Sequence, residues 1–278
     1  MSETIRSALQ HGVASLSKLT TDPHVEATAL LSHCLGQPRS YLFAHDDEEL
    51  PRKVARQYMK LVKRRTKGEP YAYVAGVREF WSIELAVNHH VLIPRPDTEI
   101  LVEAALKHIP EGLPCRVADL GTGSGAVAIA IASERPQAFI TATDISAKAL
   151  DVAKVNVERH AKHRIECRKG DWADCLGSDR YDIIVSNPPY VAVRDPHLED
   201  LPYEPQKALV AGPDGLDELR RLIPESKDCL RQGGWLLVEH GSDQGQEVRE
   251  LFIQSGYQNV STRLDLGGNE RVTLGQAR

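Results

Sequence analysis

At 278 residues the chain suits one domain of ordinary size with a smaller companion. Its 41% hydrophobic and 26% charged content is that of a soluble globular protein, and a net charge of −5 argues against one that grips long stretches of nucleic acid. No apolar run approaches the ~20 residues that span a bilayer, and MSETIRSALQHG lacks the apolar core of a signal peptide. Cys34, Cys115, Cys167, Cys175 and Cys229 form no CxxC pair, so they read as reduced thiols of a cytoplasmic protein with neither a disulfide frame nor a metal site.

Residues 1–75 read as a small all-helical domain. Ile5–Leu16 is one helix, and Asp22 before Pro23 is a cap-plus-first-turn pair that opens a second, ended by Gly36 and Pro38. Glu49 to Arg65 is a third, stopped by Gly68 and Pro70. Its basic series (Arg52, Arg56, Lys60, Lys63, Arg64, Lys67) follows the acidic run Asp46 to Glu49, an order that suits the helix dipole and reads as a solvated face. YAYVAG (71–76) and FWSIELAV (80–87) alternate like short strands, which predicts a hairpin linker over 76–93 and a catalytic domain over 94–278.

Ile93-Pro94-Arg95-Pro96-Asp97-Thr98-Glu99 leads into an amphipathic helix ending near Ile109. After Pro114 strand and helix alternate, the signature of a parallel sheet covered on both faces. Strands are predicted at 116–120, 139–144, 165–169, 181–186, 235–239, 258–263 and 271–274, and helices at 126–134, 146–160, 216–230 and 244–255. No helix fits between the last two strands, so they should pair antiparallel.

Four motifs fall at predicted strand ends, where open α/β sheets place their ligands. Gly121-Thr122-Gly123-Ser124-Gly125 opens a helix and lets a ligand approach the backbone; its GxGxG spacing is neither a dinucleotide fingerprint nor a Walker loop nor a nucleophile elbow. Asp144 ends the next strand, as a ribose-binding acid or as a helix cap. Asp171-Trp172 follows the third, with Trp172 offering an apolar face to an adenine ring or to the core. YDIIVS (181–186) runs into Asn187-Pro188-Pro189-Tyr190, where Pro188 must end the strand and leaves its carbonyl without a ladder partner nearby.

Together these motifs resemble the class I S-adenosylmethionine (SAM)-dependent methyltransferases that act on planar nitrogens. A narrower resemblance spans residues 68–275. GEPYAYVAGVREFW, VLIPRPDTEILVE, DLGTGSG, SNPPY, YEPQKALVAGPDGLD, EHG and NERVTLG are similar to the release-factor glutamine N5-methyltransferases, the PrmC/HemK family, with Pro213 departing from an expected small residue. The resemblance implies a Rossmann-like sheet of seven strands with an antiparallel last strand, behind an all-helical N-terminal domain and a hairpin. It implies SAM as cofactor (S-adenosylhomocysteine as product), held by Gly121 to Gly125, Asp144, Trp172 and Asn187, with Asp171 or Trp172 against the adenine. Asn187, Pro188, Pro189 and Tyr190 would bind the glutamine of the Gly-Gly-Gln loop of peptide chain release factors. Of these, Asn187, Pro188 and Tyr190 would serve methyl transfer to its amide nitrogen, modulating translation termination. A monomer without membrane or direct nucleic-acid contacts is expected. The alternative is an adenine N6 or guanine N2 methyltransferase on DNA or RNA, because the same NPPY geometry serves an exocyclic amine.

Overall fold

Helical periodicity gives way to buried strands part-way along the chain, and the fold changes at the same place. In the computed structural model, which describes residues 3–278, the chain forms two compact units, Met1–Val77 and Arg78–Arg278.

The first unit packs α1 (Ile5–Leu16), α2 (Pro23–Leu35), α3 (Arg39–Ala44), α4 (Arg52–Arg65) and α5 (Tyr71–Ala75) around Leu16, Leu30, Leu31, Leu42 and Tyr58. Thr4 and Ser7 form a reciprocal capping box that starts α1. Asp22, expected as a cap, makes no side-chain capping bond, and α2 begins on the fixed φ of Pro23. Helix α4 starts at Arg52 and not at Glu49, because the extended Pro51 stands before it. The segment expected as a first strand, YAYVAG, is instead the single turn α5, bounded by Pro70 and by Gly76 in the left-handed region (φ 78°). Ala72 to Ala75 are all buried there, so alternation carries no information about a face. Arg64 donates to the carbonyls of Tyr73 and Val74 at 3.0 and 3.4 Å, satisfying groups that a short helix leaves open.

The hairpin expected between the domains consists of β1 (Val77–Phe80) and β2 (Ile83–Ala86), turning at Trp81 and Ser82, both with positive φ. The larger unit continues with α6 (Glu99–Leu106), entered through a 3₁₀ turn at Pro96–Thr98. It proceeds through β3 (Cys115–Leu120), α7 (Ala126–Glu134), β4 (Ala138–Asp144), α8 (Ala147–His160), β5 (Ile165–Lys169) and β6 (Tyr181–Ser186). It closes with α9 (Asp217–Lys227), β7 (Leu230–Glu239), α10 (Gly245–Gln254), β8 (Gln258–Leu264) and β9 (Glu270–Gln276). Asn156 of α8 anchors the hairpin by bonding both the N–H and the C=O of Ala86.

The seven-stranded sheet runs β5-β4-β3-β6-β7-β9-β8, with β9 antiparallel to both neighbours, as the short link between the last two strands requires. One face is covered by a cluster containing Leu101, Ile129 and Ile131, the other by one containing Leu222, Ile223 and Phe252. Strands β3 and β6 are central, and the chain reverses its direction of travel across the sheet between them. The cleft outside the carboxyl ends of β3 and β6 is therefore the topological switch point.

In the first unit, a Cβ added at Gly12 of α1 would sit 1.8 Å from the Tyr58 hydroxyl of α4. An ordinary helical glycine gains about 1 kcal/mol on becoming alanine. Gly12→Ala is expected to lose about 1–3 kcal/mol instead, through overpacking. Urea denaturation followed by circular dichroism checks the sign; a raised midpoint would mean that Tyr58 turns aside without cost.

Candidate active site

At the switch point lies a cavity of about 610 Å³, within the size range of pockets for drug-sized ligands, bounded entirely by residues of the larger unit. Its cofactor end is built from the turn after β3. Gly121 has φ 73° and meets the Trp172 ring: a Cβ there would lie 3.1 Å from the indole, so only glycine fits without displacing it. Buried Asp119, at the end of β3, ties the turn together by accepting from the Thr122 hydroxyl at 2.6 Å and the Ala128 N–H at 3.2 Å. Burial pushes its carboxyl up to about 6, with these two donors opposing the rise.

Thr122 and Ser124 border the cavity but are largely committed to the turn. The Thr122 hydroxyl bonds Asp119, and the Ser124 carbonyl accepts from Asn156 at 2.9 Å. Gly123 also borders it, whereas Gly125 stands behind the wall at the start of α7, close to Ile129 and Ala153.

Asp144 is at the end of β4 with one carboxylate oxygen 3.0 Å from the Gly123 N–H and the other 2.8 Å from the Ser146 N–H. It is not the cap of α8; Ser146 fills that position by accepting from the Ala149 N–H. Burial raises the Asp144 carboxyl and the two backbone donors pull it back, leaving an acceptor-rich group on the cavity wall. Trp172 has φ 38°, and its indole N–H donates to Glu218 at 2.7 Å, which pins the ring against the glycine turn. Asp171 also borders the cavity and pairs with Arg221 at 2.9 Å.

The other end of the cavity is bordered by Pro94, Arg95, Thr98, Asn187, Pro189 and the segment 205–208. Ser186, the last residue of β6, donates to the Leu120 carbonyl at 2.7 Å and fixes the two central strand ends together. Asn187 follows, its side-chain N–H donating to the Thr98 hydroxyl at 3.1 Å. That leaves the amide oxygen as the available acceptor. Pro188 is buried and Tyr190 half-buried, and neither borders the cavity. The Tyr190 ring packs on the core cluster of α9 and α10, and its hydroxyl donates to Glu239 at 3.1 Å. The structure thus brings Asn187 and Pro189 to the wall while Tyr190 secures the turn from behind.

Sequence reasoning assigned no role to four residues that shape this end. Thr98 holds Asn187. Glu239 ends β7 fully buried, and burial pushes its carboxyl up to about 7 against the nearby Thr98 and Tyr190 hydroxyls. Glu204, also buried, accepts from the Ile93 N–H at 3.1 Å and pairs with Arg95, joining IPRP to YEP. A lone acid closing an apolar run, as in WLLVE, was the available signal.

The strand order, the glycine turn under an indole, the acid at the end of β4 and the asparagine after β6 define a class I methyltransferase, and the cavity and its acceptors fit SAM. Residues 97–200 match the family described as Methyltransferase small domain, and residues 7–76 the PrmC N-terminal domain. The chain is 49% identical over 254 residues to the release factor glutamine methyltransferase of Xylella fastidiosa (strain 9a5c), covering 91% of this chain and 92% of that protein. It is 44% identical over 270 residues to that of Escherichia coli (strain K12), covering 96% and 97%. This chain belongs to the release factor glutamine methyltransferase family. Among solved structures, the hMettl16 catalytic domain in complex with a MAT2A 3'UTR hairpin shares the fold at 19% identity, with a TM-score of 0.57 over 81% of this chain and 82% of that one.

Asp144→Ala should weaken SAM binding roughly ten- to a hundredfold, the loss of hydrogen bonds to a charged acceptor. Isothermal calorimetry measures it. Unchanged affinity would reduce Asp144 to a brace between Gly123 and Ser146.

Proposed function

We infer that this chain transfers a methyl group from SAM to the side-chain amide nitrogen of the glutamine in the Gly-Gly-Gln loop of peptide chain release factors. The near-full-length match to release factor glutamine methyltransferases, with Asn187 at the switch point facing a cavity of the right kind, carries the reading. The protein is proposed to work as a cytoplasmic monomer on a protein substrate. The N-terminal unit, among whose described residues no cluster suited to chemistry occurs, is assigned to gripping that substrate. The net charge of −5 supports a protein partner over nucleic acid.

SAM, when bound, supplies a methyl group on a positively charged sulfur. Gly121, Gly123, Asp144 and Trp172 would hold its nucleoside portion, with the ring of Trp172 or the carboxylate of Asp171 at the adenine. An amide nitrogen is a poor nucleophile because its lone pair is delocalised into the carbonyl. The Asn187 oxygen, on the cavity wall, would accept one of its N–H bonds and align it; the Pro188 carbonyl, expected as the second acceptor, belongs to a residue set behind that wall. As nitrogen gains positive charge this acceptor strengthens its hold, which is preorganised stabilisation of the transition state. The alkylated amide is acidic enough to lose its proton afterwards, so no strong base need act first. Tyr190, held by Glu239, keeps the Asn-Pro-Pro turn in place.

With labelled SAM, label should enter the release factor and vanish when its loop glutamine is replaced by alanine; label in DNA or RNA with none in protein overturns the assignment. Asn187→Ala should lower turnover by ~10²–10³, the usual effect of removing one preorganised partner. Asn187→Asp should fall between the two, because a charge enters a pocket shaped for neutral groups. Turnover of the alanine variant within about threefold of the parent, with folding intact, would show that Asn187 merely ends a strand.

A further inference from the structure

Asparagine has an ambiguous head: its amide can present oxygen or nitrogen to the cavity, and only oxygen accepts from a glutamine N–H. The Asn187 nitrogen lies 3.1 Å from the Thr98 hydroxyl, which has one proton and can either accept from that nitrogen or, were the amide turned over, donate to its oxygen. Where the Thr98 proton goes therefore decides what the cavity meets.

Behind Thr98 lies Glu239. Both residues are buried, Thr98 at 4% and Glu239 at 1% exposure. One Glu239 oxygen is taken by Tyr190, while the other, Oε2, is buried without a hydrogen-bond partner. An ionised carboxylate only accepts. Thr98 is near enough to pull the Glu239 carboxyl down, and its proton can turn toward that open oxygen. Among the described residues no cation lies within ion-pair distance of Glu239, although the charge of Arg271 acts on it. Arg271 of β9 faces it but is paired with Asp265 at 3.1 Å and Asp97 at 3.3 Å, and Asp97 itself repels it. Arg95 acts on Tyr190 from the cavity side and is paired with Glu204.

We propose that Glu239 is a positioning residue for methyl transfer, which draws the Thr98 proton to itself and so holds the Asn187 oxygen toward the substrate. The proposal rests on the reading of Asn187 as the substrate's acceptor. Protonated Glu239 reverses the chain: its own proton goes to Thr98, the Thr98 proton to Asn187, and the amide turns over. Burial pushes the carboxyl up to about 7, against the nearby hydroxyls, so the reversal falls in the working range and turnover should rise with pH across it.

The test follows turnover on release factor and SAM affinity from pH 6 to 9 in the parent, Glu239→Gln, Thr98→Val and Thr98→Ser. The parent should show an acid limb in kcat with flat SAM affinity. Glu239→Gln and Thr98→Val should lose that limb and run about tenfold slower at pH 8 with KM little changed, while Thr98→Ser restores rate and limb. A Glu239→Gln enzyme with parental kcat and the same limb overturns the proposal. A second measurement needs neither substrate nor SAM. In the protein labelled with ¹³C and ¹⁵N, the Asn187 side-chain N–H signals should shift at the midpoint of the Glu239 carboxyl titration, and in Thr98→Val they should cease to follow it. Asn187 signals indifferent to Glu239 in the parent sink the proposal even if the enzymology agrees. Failure of the parent to label release factor would sink the functional reading alone, leaving this coupling to be decided by the spectra.

Discussion

Proline cannot donate to a sheet ladder, and the catalytic face follows from where that forces β6 to stop. Ser186 is the last residue paired to both neighbours, and its hydroxyl still reaches the Leu120 carbonyl. One residue further on, the chain must leave the sheet, and it does so at the point where strand order reverses. Asn187 is thus rigid on its N-terminal side, through two central strands, and held by Pro188 and Pro189 on the other. A side chain so fixed can orient a weak nucleophile at little entropic cost during the reaction.

The two halves of the cavity manage charge differently. On the cofactor side, Asp119 and Asp144 are carboxylates satisfied by hydroxyl and backbone donors, and Asp171 and Glu218 pair with Arg221 at the rim. On the substrate side, Glu239 is braced by the Tyr190 hydroxyl, and Arg95 and Arg271 beside it pair with other carboxylates. A neutral glutamine amide thus meets a wall whose formal charges are already matched or set back behind Thr98 and Tyr190.

Much of this was legible in the chain. Buried parallel strands are written as unbroken apolar runs, so VADL, YDIIVS and WLLVE announced themselves, and the glycine turn and paired prolines marked their ends. The absence of a helix between 258–264 and 270–276 gave the antiparallel ending. YAYVA misled because five residues of alternation, all but the first of them buried, cannot distinguish a strand from one turn of helix. Asp22 misled because a residue of the right type before a proline need not reach the first turn's N–H groups. The Thr98–Glu239 relationship was not legible, since it joins the turn before α6 to the end of β7, and only the sheet's crossing connections bring them together.

The segment between β6 and α9 is pinned toward both of its ends. Val191 bridges to Val210, and Glu204 is bonded to the Ile93 N–H and to Arg95. Loops usually absorb insertions along their whole length. Here an extra residue at 189–193 or 203–212 would shear the substrate wall, because the Val193 N–H also donates to the Gly212 carbonyl, whereas between these pins the chain carries exposed Pro202 and a 3₁₀ turn at Pro196–Asp200 with no buried residue. Differences in chain length among members of this family should therefore gather at 194–202, and a tag or a fused binding peptide placed there would ride on the rim without altering the slot beneath.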